Sequence, residues 1–335
     1  MLNAYLRTAL LAFLLLPGTA VADPIKLKLS FFTSDRSIIY QNSIKPFVDA
    51  VNAEGKDVVK IDVYFSGAIT KVQAAQPQLV LDGTADLAIV VPAQSPELFG
   101  DNAILELPGL YRGPQEATDI YRRLIEAKAL QGYDDFFVIG AFMSQGENIH
   151  SRKPIASNAD LKGLLIRTNN KTESTTLERL GAIPVQIAIN QTTEAMSRGN
   201  IDAATFPPSL VFEFGVGRVT SHHYMLQLGG VPFALVMNRG KFESLPLRAQ
   251  AIIRKYSGKW LSDRSVASYL ALDGEAAAKL ESDPLRTVTQ PSPSDAAAAE
   301  SIFKSVDADW AAQSQHNREL LALVNADLVK IRSGN

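Results

Sequence analysis

The chain has 335 residues, with 33 Lys plus Arg against 35 Asp plus Glu and a formal net charge of -2. So even a balance excludes the basic face that nucleic-acid binding needs, and 46% apolar with 20% charged residues excludes a disordered chain. The absence of cysteine excludes disulfides, thiol nucleophiles, cysteine-ligated zinc and iron–sulfur clusters.

The N-terminus reads as a secretory signal peptide over residues 1–22. Arg7 supplies the positive start, Thr8 to Leu16 an apolar run, and Ala20-Val21-Ala22 a small-x-small cleavage pattern before Asp23. The run is far short of the roughly 20 residues needed to span a bilayer. An exported, periplasmic protein is expected.

Beyond it, Ile25, Leu27, Leu29 and Phe31 alternate with polar residues and predict a strand. Tyr40, Ile44, Phe47, Val48 and Val51 fall at helical spacing, with Pro46 as a possible kink. Val59 to Phe65 alternates again. Asp86 to Val91 is a continuous apolar run, as in a strand covered on both faces. Strand, helix and strand in turn are the signature of an open α/β sheet.

The order then begins again. Phe136 to Phe142 and Leu164 to Arg167 read as strands, and Lys171 to Leu180 as a helix stopped by Gly181. Pro184 to Ile189 is extended, Asn190 is placed to cap a helix from Gln191 to Arg198, and Ile201 to Thr205 follows as a strand. Gly83-Thr84-Ala85-Asp86-Leu87-Ala88 and Gly199-Asn200-Ile201-Asp202-Ala203-Ala204 share the pattern G-x-x-D-x-A at the same point of the two runs. The repeat points to two similar α/β lobes. The last third is helical: Pro246 to Lys279, then a long helix capped by Ser294 and running toward Ile331.

Enzyme signatures are missing. The sequence holds no G-x-S-x-G, no P-loop and no H-E-x-x-H. Gly215-Val216-Gly217 has Thr220 where a dinucleotide fingerprint needs a third glycine. His222 and His223 are adjacent on an extended stretch, where side chains point to opposite faces. No metal site, cofactor or catalytic residue is assigned. The candidate site is Arg167, at the carboxyl end of its strand, where ligands bind in open α/β sheets. A guanidinium there matches a carboxylate in two hydrogen bonds. Asn169 and Asn170 open the next helix, whose free N–H groups also favour an anion. A surface salt bridge is the alternative for Arg167.

The stretch Pro154-Ile155-Ala156-Ser157-Asn158-Ala159-Asp160-Leu161-Lys162-Gly163-Leu164-Leu165-Ile166-Arg167 resembles the signature of the periplasmic solute-binding proteins of TRAP transporters, the DctP-like P subunits. The likeness continues through Leu180 to Val185, Glu194 to Ala203, Leu235 to Asn238 and Phe242 to Pro246. The resemblance implies two α/β lobes closing around a small organic anion, a long C-terminal helix spanning both, and hand-over of the ligand to membrane permease subunits. Lobe I is expected from 23–144 plus about 233–275, and lobe II from 145–232 plus about 276–335 with the long helix. Arg167 falls on the family's carboxylate-binding arginine.

Three features depart from the common pattern. Glu147 stands where many members place a second arginine, Phe206 where an asparagine is usual, and Val91 and Ile189 are apolar at positions that often line the pocket. One cation fewer and one aromatic ring more point to an apolar or aromatic monocarboxylate. Phe32 joins Val91, Ile189 and Phe206 as the apolar candidates near the strand ends. Glu147 either meets a hydroxyl or amino group of the ligand or forms an ion pair with Arg152 or Lys153. A receptor feeding a membrane sensor is the alternative function, and a periplasmic enzyme a weaker one.

Overall fold

In the computed structural model, residues 23–334 are described; the expected signal peptide lies outside them. Eleven strands form two sheets: β1 (Ile25–Ser30), β2 (Val59–Tyr64), β3 (Leu87–Val90), β4 (Phe136–Met143), β5 (Asn148–Ser151), β6 (Leu165–Thr168), β7 (Ile183–Gln186), β8 (Ala203–Phe206), β9 (His222–Tyr224), β10 (Pro232–Asn238) and β11 (Thr287–Thr289). The first sheet has the order β2-β1-β3-β10-β4, and the second β11-β9-β5-β8-β6-β7. Each is the core of one lobe. β1 pairs in parallel with β2 and β3, and β6 in parallel with β7 and β8.

The apolar run Leu87–Val90 is buried throughout. Leu87 and Ile89 join the cluster on one face of the sheet, and Ala88 and Val90 the cluster on the other. Helices therefore cover both faces, as a run without polar alternation requires.

The repeated G-x-x-D-x-A segments do the same work in each lobe. Gly83 and Gly199 both adopt the left-handed region, at φ 75° and 77°. Asp86 N–H donates to the Lys28 carbonyl at 2.9 Å, and Lys28 N–H donates back to the Asp86 carboxylate at 2.7 Å. In the second lobe Asp202 N–H donates to the Leu165 carbonyl at 2.8 Å, and Leu165 N–H donates to the Asp202 carboxylate at 3.0 Å. Each aspartate thus locks the entry of its strand onto the neighbouring strand.

The chain passes between lobes from β4 to β5 and returns from β9 to β10, which runs antiparallel between β3 and β4. The third passage is the helix Lys259–Ser282. It buries Leu261, Val266 and Tyr269 in the first lobe's core and Leu280 in the second's. Among the described residues no helix is long and apolar enough to cross a membrane.

Several local expectations are corrected. Pro46 lies inside a continuous helical run, directly after the π-helical segment Tyr40–Ile44, where Lys45 N–H donates to the Tyr40 carbonyl, so the irregularity its missing N–H imposes is this widened turn. Asn190 caps nothing: it sits inside a single 3-10 turn, Ile189–Gln191, that leads into the helix Thr192–Ser197. The stretch from Pro246 is interrupted at Gly258, whose φ of 62° ends one helix and whose N–H donates to the Ile139 carbonyl at 2.7 Å. The long tail helix is two helices, Pro293–Ala312 and Gln315–Arg332. Ser292, not Ser294, caps the first by accepting from Asp295 N–H, and Ser314 breaks the run to cap the second. The last helix buries Leu320, Val324 and Leu328 in a cluster of the first lobe.

Candidate functional site

β6 is short because Asp202 fixes its start and Asn170 caps the helix that follows, Lys171–Arg179. Arg167 is therefore carried to the sheet's carboxyl edge. It is nonetheless 2% exposed. Its Nε donates to the Ile187 carbonyl and Nη1 to the Thr205 carbonyl, both at 3.3 Å, and Nη2 to Asn169 Oδ1 at 3.4 Å. A guanidinium has five N–H bonds, so one remains on each terminal nitrogen. The Phe206 ring lies 5.0 Å from its central carbon. Three oxygen acceptors and a ring face hold the fork in one plane, which is the preorganisation a carboxylate receptor needs. The alternative of a surface salt bridge for Arg167 is excluded by this burial.

Arg167 lines a cavity of about 940 Å³ between the lobes. Phe32 and Gln94 reach it from the first lobe, and Asn170, Ile189 and Phe214 from the second. Gln94 Nε2 donates across the cleft to the Asn169 carbonyl at 3.0 Å. Phe32 is backed by Phe31, whose ring is stacked at 5.6 Å.

Four of the seven sequence-derived site residues, Arg167, Phe32, Asn170 and Ile189, thus share the cavity wall. Three do not. Val91 turns into the first lobe's core, and its neighbour Pro92 lines the cavity instead. Phe206 is fully buried between Arg167 and Phe214, at 6.1 Å from the latter, so it backs the arginine. Glu147 is neither a surface partner of Arg152 or Lys153 nor a wall of the cavity. Lys153 pairs with Asp202 at 2.7 Å, and Glu147 is 3% exposed behind the wall. Burial and the adjacent Glu173 carboxyl push its pKa well up, while Arg167 opposes the shift.

The same region holds two more buried acids. Glu173 Oε2 accepts from Asn169 N–H at 2.6 Å, steadying the loop that orients Arg167. Glu106, on the 3-10 segment Gly100–Glu106, is 5% exposed and lines the cavity. Burial, then Glu173, pushes its carboxyl up to about 8. Burial also lowers the pKa of Arg167, against the pull of Glu147 and Glu173. The sequence signal for Glu106 was a lone acid within the apolar run Ile104-Leu105-Glu106-Leu107. Glu173 was hidden, because an acid three residues after Asn170 reads as helix capping.

His223 and His150 face each other across β9 and β5 with their Nδ1 atoms 2.7 Å apart. His150 Nε2 reaches the Phe206 carbonyl at 3.1 Å, and Arg286 Nη1 reaches His223 Nε2 at 3.4 Å. This row of rings supports the strand behind the site.

Comparison with known proteins agrees with this geometry. The family model "Bacterial extracellular solute-binding protein, family 7" (DctP) matches residues 29–314. The C4-dicarboxylate-binding periplasmic protein DctP of Rhodobacter capsulatus is 24% identical over 70% of this chain and 72% of its own. A TRAP solute-binding protein of Rhodoferax ferrireducens, solved with copurified benzoate, superposes with a TM-score of 0.83 at 24% identity, covering 91% of this chain and 98% of its own. A marine metagenome TRAP protein specific for aromatic acid ligands, holding metahydroxyphenylacetate, gives 0.83 at 23%, covering 91% and 99%. A counterpart from Chromohalobacter salexigens, with bound d-glucuronate, gives 0.79 at 15%, covering 89% and 98%. Two α/β lobes, a helix running through both and a family match over nearly all the described residues make the chain a member of the DctP family, the periplasmic solute receptors of TRAP transport systems.

Proposed function

We propose that this receptor captures an apolar or aromatic monocarboxylate between its lobes and delivers it to membrane permease subunits. The observation that carries this reading is the buried Arg167 fork, with one free N–H on each terminal nitrogen, at a cavity whose wall includes Phe32, Ile189 and Phe214 among polar side chains. The ligand's carboxylate meets the guanidinium, and its body meets the apolar wall. The groups that act on Arg167, Glu147 and Glu173, are acids, so a second carboxylate beside the fork finds no further cation among them and its desolvation is uncompensated. Relatives bind C4-dicarboxylates, aromatic acids and uronates, so the acids around Arg167, not the fold, argue for this class. The first lobe is taken as residues 23–144 with about 233–275, carrying the last helix on its surface. The second is taken as 145–232 with the chain from about 276 to 312.

One calorimetric panel tests the ligand class. Benzoate-like acids are expected to bind more tightly than succinate and glucuronate. Tightest binding by either of the latter overturns the ligand class while leaving the Arg167 contact in place. Delivery is tested by ligand uptake in cells carrying the permease with and without this chain; equal uptake overturns it.

A further inference from the structure

Glu106 is an acid of the cavity wall to which the carboxylate reading gives no contact with the ligand. Its Oε1 is buried and has no hydrogen-bond partner among the described residues. An orphaned buried oxygen is costly, and a site built around one recovers that cost when a ligand supplies the partner. The position is fixed by the fold. A Cβ placed on Gly229 would come within 1.9 Å of the Glu106 carbonyl oxygen, so the returning crossover lies directly on the Glu106 backbone. Glu106 and Arg167 line the cavity from opposite lobes. Phe99, Ala103 and Thr172 line the cavity with Glu106. A ligand held by Arg167 and extending along this wall meets Phe99 and Ala103 beside the polar Thr172 and Glu106.

We propose that Glu106 is a specificity-determining contact for a hydroxyl group on the ligand's body, so that the receptor selects hydroxylated monocarboxylates over unsubstituted ones. This rests on the reading of Arg167 as the carboxylate receptor. A hydroxyl both donates and accepts, and it pairs with a carboxyl group in either protonation state. At neutral pH the raised pKa of Glu106 keeps its proton in place, giving the acid one donor and one acceptor. A second carboxylate brings a full negative charge that must be desolvated at this wall. An ammonium requires desolvation of a full charge where the acid is held neutral.

The test is calorimetry at pH 7 with benzoate, meta- and para-hydroxybenzoate, the matching aminomethyl benzoates, and isophthalate and terephthalate. Wild-type protein, Glu106→Gln and Glu106→Leu are compared, each first checked for a cooperative thermal transition. One hydroxybenzoate is expected to bind roughly tenfold to a hundredfold more tightly than benzoate. Glu106→Gln keeps that preference, because its amide also donates and accepts, and Glu106→Leu removes it. The proposal is overturned if the hydroxyl adds nothing in the wild type, if Glu106→Leu retains the preference, or if an aminomethyl or dicarboxylate ligand binds tightest. Failure of every monobenzoate to bind, by contrast, removes the carboxylate reading of Arg167 itself, and this inference with it.

Discussion

Arg167 is a buried cation among buried acids, and that balance decides what each substitution does. Replacing it with Ala removes the fork and leaves Glu147 and Glu173 without their cation. Arg167→Ala is expected to lose about 2–5 kcal/mol of ligand affinity, the range for truncating one member of a buried charge pair. Arg167→Lys is expected to recover little, since an ammonium cannot serve two carbonyls, Asn169 and a carboxylate in one plane. Calorimetry showing wild-type affinity for Arg167→Ala sinks the role. Phe206 gives a sharper test, because burial moves it from the ligand to the arginine's back face. Phe206→Leu stays apolar, at some loss of volume, but loses the ring face 5.0 Å from the guanidinium. Weakening by about 1–2 kcal/mol is expected, equally for aromatic and aliphatic monocarboxylates. A loss confined to aromatic ligands means that the ring touches them directly. The arginine was legible in the sequence because strand position and residue type suffice for it. The role of Phe206 was not, since whether a ring at a strand end faces the ligand or backs its neighbour depends on how the following helix, Pro208–Glu213, folds back, here through Phe214 at its end.

At the scale of elements, the second sheet is tied by hydrogen bonds with only one consistent direction. Arg286 can only donate, so His223 Nε2 accepts; the Phe206 carbonyl can only accept, so His150 Nε2 donates. The 2.7 Å Nδ1 contact between the rings then carries one proton, donated by His223 to His150. Both rings are neutral, and an extra proton on either faces a donor. Burial, reinforced for His223 by His150 and Arg286, lowers the pKa values to about 4 for His150 and about 3 for His223. The unfolded chain takes up these protons near 6.5, so the contribution to stability is full above that pH. It is lost as pH falls from 6.5 toward 4. For His150 the loss approaches about 3 kcal/mol. Glu106, with its pKa raised to about 8, changes stability in the opposite sense over the same fall, so the comparison must be between proteins. A His150→Gln, His223→Gln double variant is expected to be less stable at pH 7 but to lose less between pH 7 and 4.5. Urea unfolding at both pH values measures this; parallel losses in the two proteins refute it. Sequence alone placed His223, with His222, on an extended stretch and did not pair it with His150, because strand order is a long-range property. The G-x-x-D-x-A repeats, by contrast, could be read directly, since each encodes a local turn and a strand entry. The tail helix was read too long because its apolar spacing runs through Ser314, and only the turn there reveals the break.

For the molecule as a whole, the cavity belongs to neither lobe. Glu106, Gln94 and Phe32 come from one side, and Arg167, Ile189 and Phe214 from the other. On the side of the spanning helix, Ser209 N–H donates to Asp273 at 2.9 Å, and Ile38 N–H donates to Glu213 at 3.2 Å. These bonds hold the lobes where the passages cross, so any opening is expected at the cavity mouth. A ligand touching both lobes has its highest affinity for the closed arrangement and shifts the population toward it. Small-angle scattering is expected to give a smaller radius of gyration at saturating ligand, and superimposable curves count against closure. The Gln94 to Asn169 bond at 3.0 Å is the protein's own bridge across the mouth. Removing it with Gln94→Ala costs the closed state one hydrogen bond and leaves the Arg167 fork untouched. All monocarboxylates are then expected to weaken together by roughly twofold to tenfold, the worth of one net hydrogen bond. The free protein should also scatter as a slightly larger particle. A Gln94→Ala protein that binds a full acid panel with wild-type affinity has a mouth whose closure does not depend on this bridge, and the ligand alone then joins the lobes.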